Sequence, residues 1–326
     1  MNNYPVLLFH STDGRDLPSL KDLGNIRPEL FEKLIVRLRE EFDIIGLDEL
    51  VRCISGNAKP KDRLLAITFD DCPKSYITQA LPVMEVYDVP STCFLITDCV
   101  DDKALYWRYL YNFCIKKGFE QELAAFINYE YKTNIMAAEI LSFSRDHYDR
   151  TKNLCIIEKL LDNVIPEEVY RKQDKDLFLS MEDIGKLKQN PFVSFGLHTR
   201  SHPVLKRLTA EEIHYEIAGS LDFYRSRIGD DVPMLSIPFG RLFKDYDERA
   251  ITIAKTLSIN IVLSAYGGSN AEGQPLYNIR RISVHEGKLQ GGIDLFVDSL
   301  REPGVPDEYA EKEKLLSELL SSREYH

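Results

Sequence analysis

The chain has 326 residues, of which 44% are hydrophobic and 29% charged, and carries a formal net charge of −11. That length can bury one sizeable core, either a single α/β barrel of roughly 200–250 residues with an insertion or two smaller domains. An acidic balance with no basic stripe argues against nucleic acid as a partner, and no apolar run approaches the roughly 18 residues needed to cross a bilayer.

The opening MNNYPVLLFHSTDGRD has no positive leader and no apolar stretch of signal length, so it reads as mature sequence. Six scattered cysteines (Cys53, Cys72, Cys93, Cys99, Cys114 and Cys155) form no C-x-x-C pair and read as reduced, mostly buried thiols. A cytoplasmic protein is the resulting expectation. The first strand is expected at Val6-Leu7-Leu8-Phe9, closed by the turn residues Ser11 to Gly14. Pro28 opens a helix with Leu30, Leu34 and Leu38 on one face. Leu64 to Phe69 is apolar throughout, as a strand covered on both faces of a parallel sheet would be. A helix over Ser75 to Tyr87 and a strand over Ser91 to Ile96 continue the alternation, which predicts βα units.

Residues 101–176 break that rhythm. They are aromatic, charged and helical in pattern, and no linker flanks them, so they read as an insertion or cap. Trp107 and its aromatic neighbours there suit either core packing or stacking on a sugar ring. Capping boxes at Ser180/Asp183 and Thr209/Glu212 restart the alternation, with a strand at Phe192 to Phe195 between them. Further strands are expected at Met234 to Ile237, Asn260 to Ser264 and Arg281 to Val284. A charged helix closes the chain from Glu308 to His326. Residues 1–300 therefore form one barrel with its insertion, and 301–326 a C-terminal helical tail.

Two clusters follow predicted strands, where parallel sheets collect ligands and catalytic groups. Asp70 and Asp71 end the strand at Phe69. They are either functional carboxylates or caps for the next helix, since Asp is a favoured N-cap. His198 and His202 follow Phe195, and their spacing of four sets both imidazoles on one side of a helical turn. Two histidines with one carboxylate make a ligand set for a catalytic metal that leaves a position for water. The second carboxylate is then free to act as a general base.

The run Thr68-Phe69-Asp70-Asp71, then His198-Thr199-Arg200-Ser201-His202, then Pro238-Phe239-Gly240, resembles the polysaccharide-deacetylase family, also called the NodB-homology family or carbohydrate esterase family 4. The likeness spans Tyr4 to about His285. It implies a distorted (β/α)7 barrel of the α/β class with a helical insertion. By position it implies that Asp70 is the general base and that Asp71, His198 and His202 hold one divalent metal ion. Zinc suits that donor set best, with cobalt, nickel or iron also acceptable. Pro238 and the backbone N–H of Phe239 would face substrate and oxyanion.

The late Leu-x-His motif survives only as His285 after Ser283-Val284, which makes His285 the candidate general acid. In an alternative alignment Arg281 to Val284 is simply a closing strand and His285 is incidental. His10, ending the first strand, is either a donor behind the site or a satisfied strand-end histidine. Ser236 stands where the family often has the arginine that pairs with the base, and Arg241, Arg280 and Arg281 are candidates to replace it. Cys72 stands where a glycine often follows the two aspartates.

The resemblance implies removal of an N-acyl group, acetyl or formyl, from a nucleotide-linked, lipid-linked or oligosaccharide sugar. Synthesis of a bacterial surface glycan such as an O-antigen is the expected setting. The alternatives are a cyclic imide or ureide amidohydrolase on the same fold, and a non-catalytic glycan-binding barrel.

Overall fold

A computed structural model describes residues 3–58, 62–229, 231 and 233–323. The chain alternates strand and helix through β1 (Val6–Phe9), α1 (Pro28–Glu41), β2 (Asp43–Ile44), α2 (Leu47–Ile54) and β3 (Leu64–Phe69). A π-helical turn (Tyr76–Ala80) leads into α3 (Leu81–Val86), and β4 (Ser91–Leu95) follows. The insertion then runs through α4 (Trp107–Lys116), α5 (Glu120–Tyr131), α6 (Ile140–Asp146), α7 (Arg150–Asn163) and α8 (Glu167–Gln173). After it come α9 (Met181–Leu187), β5 (Val193–Leu197), α10 (Ala210–Arg227), β6 (Leu235–Ser236) and α11 (Glu248–Thr256). The chain closes with β7 (Val262–Leu263), β8 (Ile282–Ser283), α12 (Ile293–Ser299) and α13 (Asp307–Arg323).

All strand pairs are parallel, in the order β7-β6-β5-β4-β3-β1-β8, with β2 attached only to the start of β3. The sheet curls until its ends meet. Ser264 N–H donates to the Ile279 carbonyl at 2.8 Å, and Ile279 N–H donates to Val262 at 2.9 Å. These bonds tie β7 to the segment entering β8 and give the expected distorted (β/α)7 barrel.

Alternation along the strands sorts the core into two parts. Outward residues such as Leu7, Phe9, Leu65, Ile67 and Phe69 pack under α1 through Phe31, Leu34, Ile35 and Leu38. Leu30, expected on that face, is only partly buried, because Phe31 and Ile35 complete the stripe instead. Inward residues Val6, Leu64, Ala66, Phe94, Leu263 and Ile279 form a smaller cluster with Leu47, Leu50 and Ile54 of α2. Gly196 on β5 makes room for this inner packing: a Cβ there would lie 2.3 Å from Cε1 of Phe94. Gly196→Ala is therefore expected to cost ~1–3 kcal/mol by overpacking. A urea midpoint equal to that of the wild type would show that the Phe94 ring can step aside.

Both capping boxes form, at Ser180/Asp183 and Thr209/Glu212. The tail helix α13 buries Leu316 and Leu320, while Leu315 is exposed. It is tied to the barrel where Glu313 receives Arg280 at 2.6 Å. Residues 324–326 of the expected helix lie outside the described residues. All six cysteines are free, and only Cys155 is not buried.

Candidate active site

Above the apolar floor the inner face turns polar, and its centre is a charge. Arg281 enters β8 with its side chain fully buried. Its guanidinium stacks over Phe94 at 5.6 Å and finds an acceptor for every N–H. Nε donates to the Ser264 carbonyl at 2.8 Å. Nη1 donates to Thr68 Oγ1 at 3.3 Å and to Asp70 Oδ1 at 2.7 Å. Nη2 donates to Asp70 Oδ2 at 2.8 Å and to Ser236 Oγ at 2.7 Å. Ser236 Oγ in turn donates to Asp70 Oδ2 at 2.9 Å. Burial alone would raise the Asp70 carboxyl, but the guanidinium outweighs it and holds the group below its ordinary value.

Arg281 therefore meets Asp70 across a site where Ser236 leaves space. Arg241 instead pairs with Asp245 and Asp146, and Arg280 with Glu313. Arg281→Leu is expected to cost about 3–5 kcal/mol, because it strands a buried carboxylate. It should also move the acid limb of a pH–rate profile upward as the Asp70 pKa rises. The double variant Ser236→Arg, Arg281→Ser restores a guanidinium from β6 instead of β8. Failure of that exchange to recover any stability over Arg281→Ser would mean that the origin of the arginine matters.

Asp71 and Cys72 both adopt left-handed backbone, at φ 66° and 52°. This conformation costs roughly 1–2 kcal/mol for a residue with a side chain. Neither aspartate caps a helix. Instead the turn sends Asp70 to Arg281 and Asp71 to the histidines. His198 and His202 lie on a loop rather than on the expected helical turn, since Thr199 and His202 are also left-handed, at φ 63° and 57°. The buried carboxylate of Glu216 on α10 holds that loop. It accepts from Arg200 N at 3.0 Å, Ser201 N at 2.9 Å and Ser201 Oγ at 2.8 Å.

The two Nε2 atoms each stand 3.5 Å from Asp71 Oδ1. His198 Nδ1 is 2.8 Å from the Ser236 carbonyl, which makes Nδ1 the protonated nitrogen and leaves an Nε2 lone pair inward. His202 Nδ1 meets the Tyr106 hydroxyl at 3.0 Å. Burial drives His202 down to about 3, so it is neutral. Burial also opposes charge on His198, but Asp70 and Asp71 prevail and raise it. Burial opposes ionisation of Asp71 too, and His198 and His202 beside it overcome that and lower its carboxyl. Asp71 Oδ1 is buried without a hydrogen-bond partner. One ligand atom from each of Asp71, His198 and His202 can be chosen so that all lie within 4.8 Å of one another. A buried carboxylate oxygen and two imidazole nitrogens converging on one point fit a divalent cation.

These residues open into a cavity of about 390 Å³, which His10, Phe239 and His285 also line. Burial lowers His10, which stands against Gly24, and also lowers His285. Pro238 is buried and does not line the cavity, whereas Phe239 does, and its backbone at φ 60° leads into Gly240 at φ 68°. A Cβ on Gly240 would strike Ala265 N at 2.5 Å, so this turn sits tight against the chain leaving β7.

The insertion supplies what sequence reading did not assign. Tyr109 donates to Asp71 Oδ2 at 3.3 Å, and Trp107 Nε1 donates to the His202 carbonyl at 3.3 Å. With Tyr106, these place the aromatic run behind the metal-type donors, and Arg108 and Arg145 reach the cavity wall. Only the density of aromatics at 106–109 hinted at this.

Acidic and imidazole donors gathered at the C-terminal mouth of a parallel barrel have the layout of a hydrolase. Residues 57–262, well over half of the chain, match the family model described as polysaccharide deacetylase, and the chain belongs to that family. A comparison with curated proteins finds no match. Solved structures share the fold. The Streptococcus pyogenes deacetylase PplD in complex with acetate is 16% identical, with a TM-score of 0.60 over 91% of this chain and 98% of its own. IcaB from Ammonifex degensii is 14% identical, with a TM-score of 0.62 over 92% and 98%. A de-N-acetylase from Aggregatibacter actinomycetemcomitans is 12% identical, with a TM-score of 0.57 over 90% and 100%.

Proposed function

We propose that this chain is a metal-dependent carbohydrate N-deacetylase acting on an N-acetylated or N-formylated sugar. The observation that carries the reading is the buried, unpartnered Asp71 Oδ1 facing two histidine Nε2 atoms. Asp71, His198 and His202 are the residues that would hold the ion, with zinc favoured and cobalt, nickel or iron acceptable. A divalent ion there supplies Lewis-acid polarisation of the amide carbonyl and acidifies water.

The remaining work falls to side chains of this chain. Asp70, kept ionised and oriented by Arg281 and Ser236, accepts the proton of the attacking water. The Phe239 N–H donates to the oxygen that gains charge. His285 lines the same cavity and gives its proton to the departing amine. Burial and then Lys288 lower its pKa, which makes its protonated form a stronger acid. His10 shares the wall and orders the cavity behind these groups.

The sugar is nucleotide-linked, lipid-linked or part of an oligosaccharide, and the setting is assembly of a bacterial surface glycan such as an O-antigen. Free thiols favour the cytoplasm. Among the described residues no helix is long and apolar enough to cross a membrane. One structural neighbour was solved with acetate, the product such a reaction releases. In domain terms, residues 1–300 form the catalytic barrel, and α13 (Asp307–Arg323) is the helix of its tail.

The test is amine and acetate or formate release from a panel of N-acylated sugars by protein reconstituted with zinc, cobalt or nickel. Turnover is expected on at least one sugar. Hydrolysis of hydantoins or dihydropyrimidines alone would move the function to cyclic amides. No turnover on either panel would leave a binding barrel.

A further inference from the structure

Two arginines of the insertion face the cavity without a task in the reaction. Arg108, in the first turn of α4, sets its guanidinium over the Phe239 ring at 5.5 Å. Arg145, in the last turn of α6, reaches the same ring at 6.0 Å. Arg108 Nη1 is buried with no hydrogen-bond partner, and among the described residues no carboxylate forms an ion pair with Arg108. Arg145 has only its neighbour Asp146, at 3.3 Å, and that carboxylate is already taken by Arg241 at 2.9 Å.

The other charges of the cavity are balanced. Asp70 is matched by Arg281. Asp22, on the wall, is matched by Lys116 at 2.6 Å. Asp71 belongs to the metal-type donor set. Stacking on Phe239 accounts for the faces of the two guanidinium groups, but Arg108 Nη1 is left unmet and Arg145 has only a 3.3 Å contact to a carboxylate shared with Arg241. A buried guanidinium without an acceptor is unfavourable. Two side by side repel, and an anion with oxygens to share relieves both conditions at once.

We propose that Arg108 and Arg145 form an anion subsite and that the sugar deacetylated here carries an acidic group, a carboxylate or a phosphate, within reach of its N-acyl ring. The proposal rests on the deacetylase reading above and narrows its substrate class.

The decisive comparison is kcat/KM on N-acetylglucosamine, its 1-phosphate and N-acetylglucosaminuronic acid, for wild type, Arg108→Gln and Arg145→Gln. The wild type is expected to prefer one acidic sugar over the neutral one by about tenfold or more. The phosphate and the uronate separate the two sources of the charge. Each variant is expected to lose at least about tenfold more on the preferred acidic sugar than on the neutral one, chiefly through KM. Arg145 comes from a different helix and has no buried unpartnered atom, so its variant guards against a folding defect at Arg108. Equal losses on all three sugars would assign the arginines to the acyl group and overturn the proposal while leaving the deacetylase reading intact. If none of these three sugars turns over, the deacetylase reading is decided separately, on the wider panel of N-acylated sugars. Thermal stabilisation by N-acetylglucosamine 1-phosphate or N-acetylglucosaminuronic acid at constant ionic strength then decides the subsite. Loss of that stabilisation in both variants supports the proposal, and no stabilisation of the wild type overturns it.

Discussion

Asp70→Asn is expected to lower kcat by about 10²–10⁴ while leaving the metal content of the protein unchanged. The substitution keeps the shape of the side chain and removes its basicity. Asp70 ligates nothing in the Asp71–His198–His202 set, so ion binding and proton transfer separate cleanly in this variant. The exchange also breaks a bidentate pair with a fully buried arginine, so a lower unfolding midpoint is expected as well. Activity must therefore be compared at a temperature where both proteins are folded, checked by circular dichroism. Wild-type turnover in Asp70→Asn would remove the base from this residue.

The second large effect is expected from His198→Ala, which should take the protein from about one divalent ion per chain to none after dialysis. Its imidazole is fixed through Nδ1 by the Ser236 carbonyl, which aims Nε2 at Asp71. The cluster is buried, and Asp71 Oδ1 has no other partner, so the ion should also hold the fold together. Occupancy at a hundredfold excess over Kd is worth ~2.7 kcal/mol. Chelation should therefore lower the melting temperature of the wild type and leave the melting temperature of His198→Ala unmoved. A variant that retains stoichiometric metal by elemental analysis would place the ion elsewhere.

The barrel was legible because its central strands carry continuous apolar runs. Leu64 to Phe69 came out within its expected limits, and Ser91 to Leu95 within one residue of them. The outer strands β6, β7 and β8 are only two residues long. The apolar pattern there continues beyond the hydrogen-bonded ladder, so their ends could not be read. The His198/His202 spacing pointed to two residues that do come together, but through the wrong geometry. Spacing alone cannot distinguish a helical turn from a loop with two left-handed residues, and the hold on that loop comes from Glu216, distant in sequence.

Arg281 was left among three arginines, although strand alternation carries a clue. If His285 faces the cavity, Arg281 lies on the same side of β8 and Arg280 on the other. The roles of Tyr106 and Tyr109 had no such signal. Their contacts reach back 38 residues to Asp71 and forward 96 to His202, and no local period reports such contacts.

The helices between β4 and β5 also divide labour along the chain. The reacting groups stand on strand ends and their short loops, whereas Tyr106, Arg108, Tyr109 and Arg145 come from the inserted segment. Deleting that segment to obtain a minimal barrel would untether His202 and unroof the cavity together. Grafting in a segment from another barrel, provided it still carries hydroxyls at the places of Tyr106 and Tyr109, would change which molecules the cavity admits and leave the strand ends alone. Under the proposed function, chemistry and choice of substrate would then be separable units of inheritance in this fold.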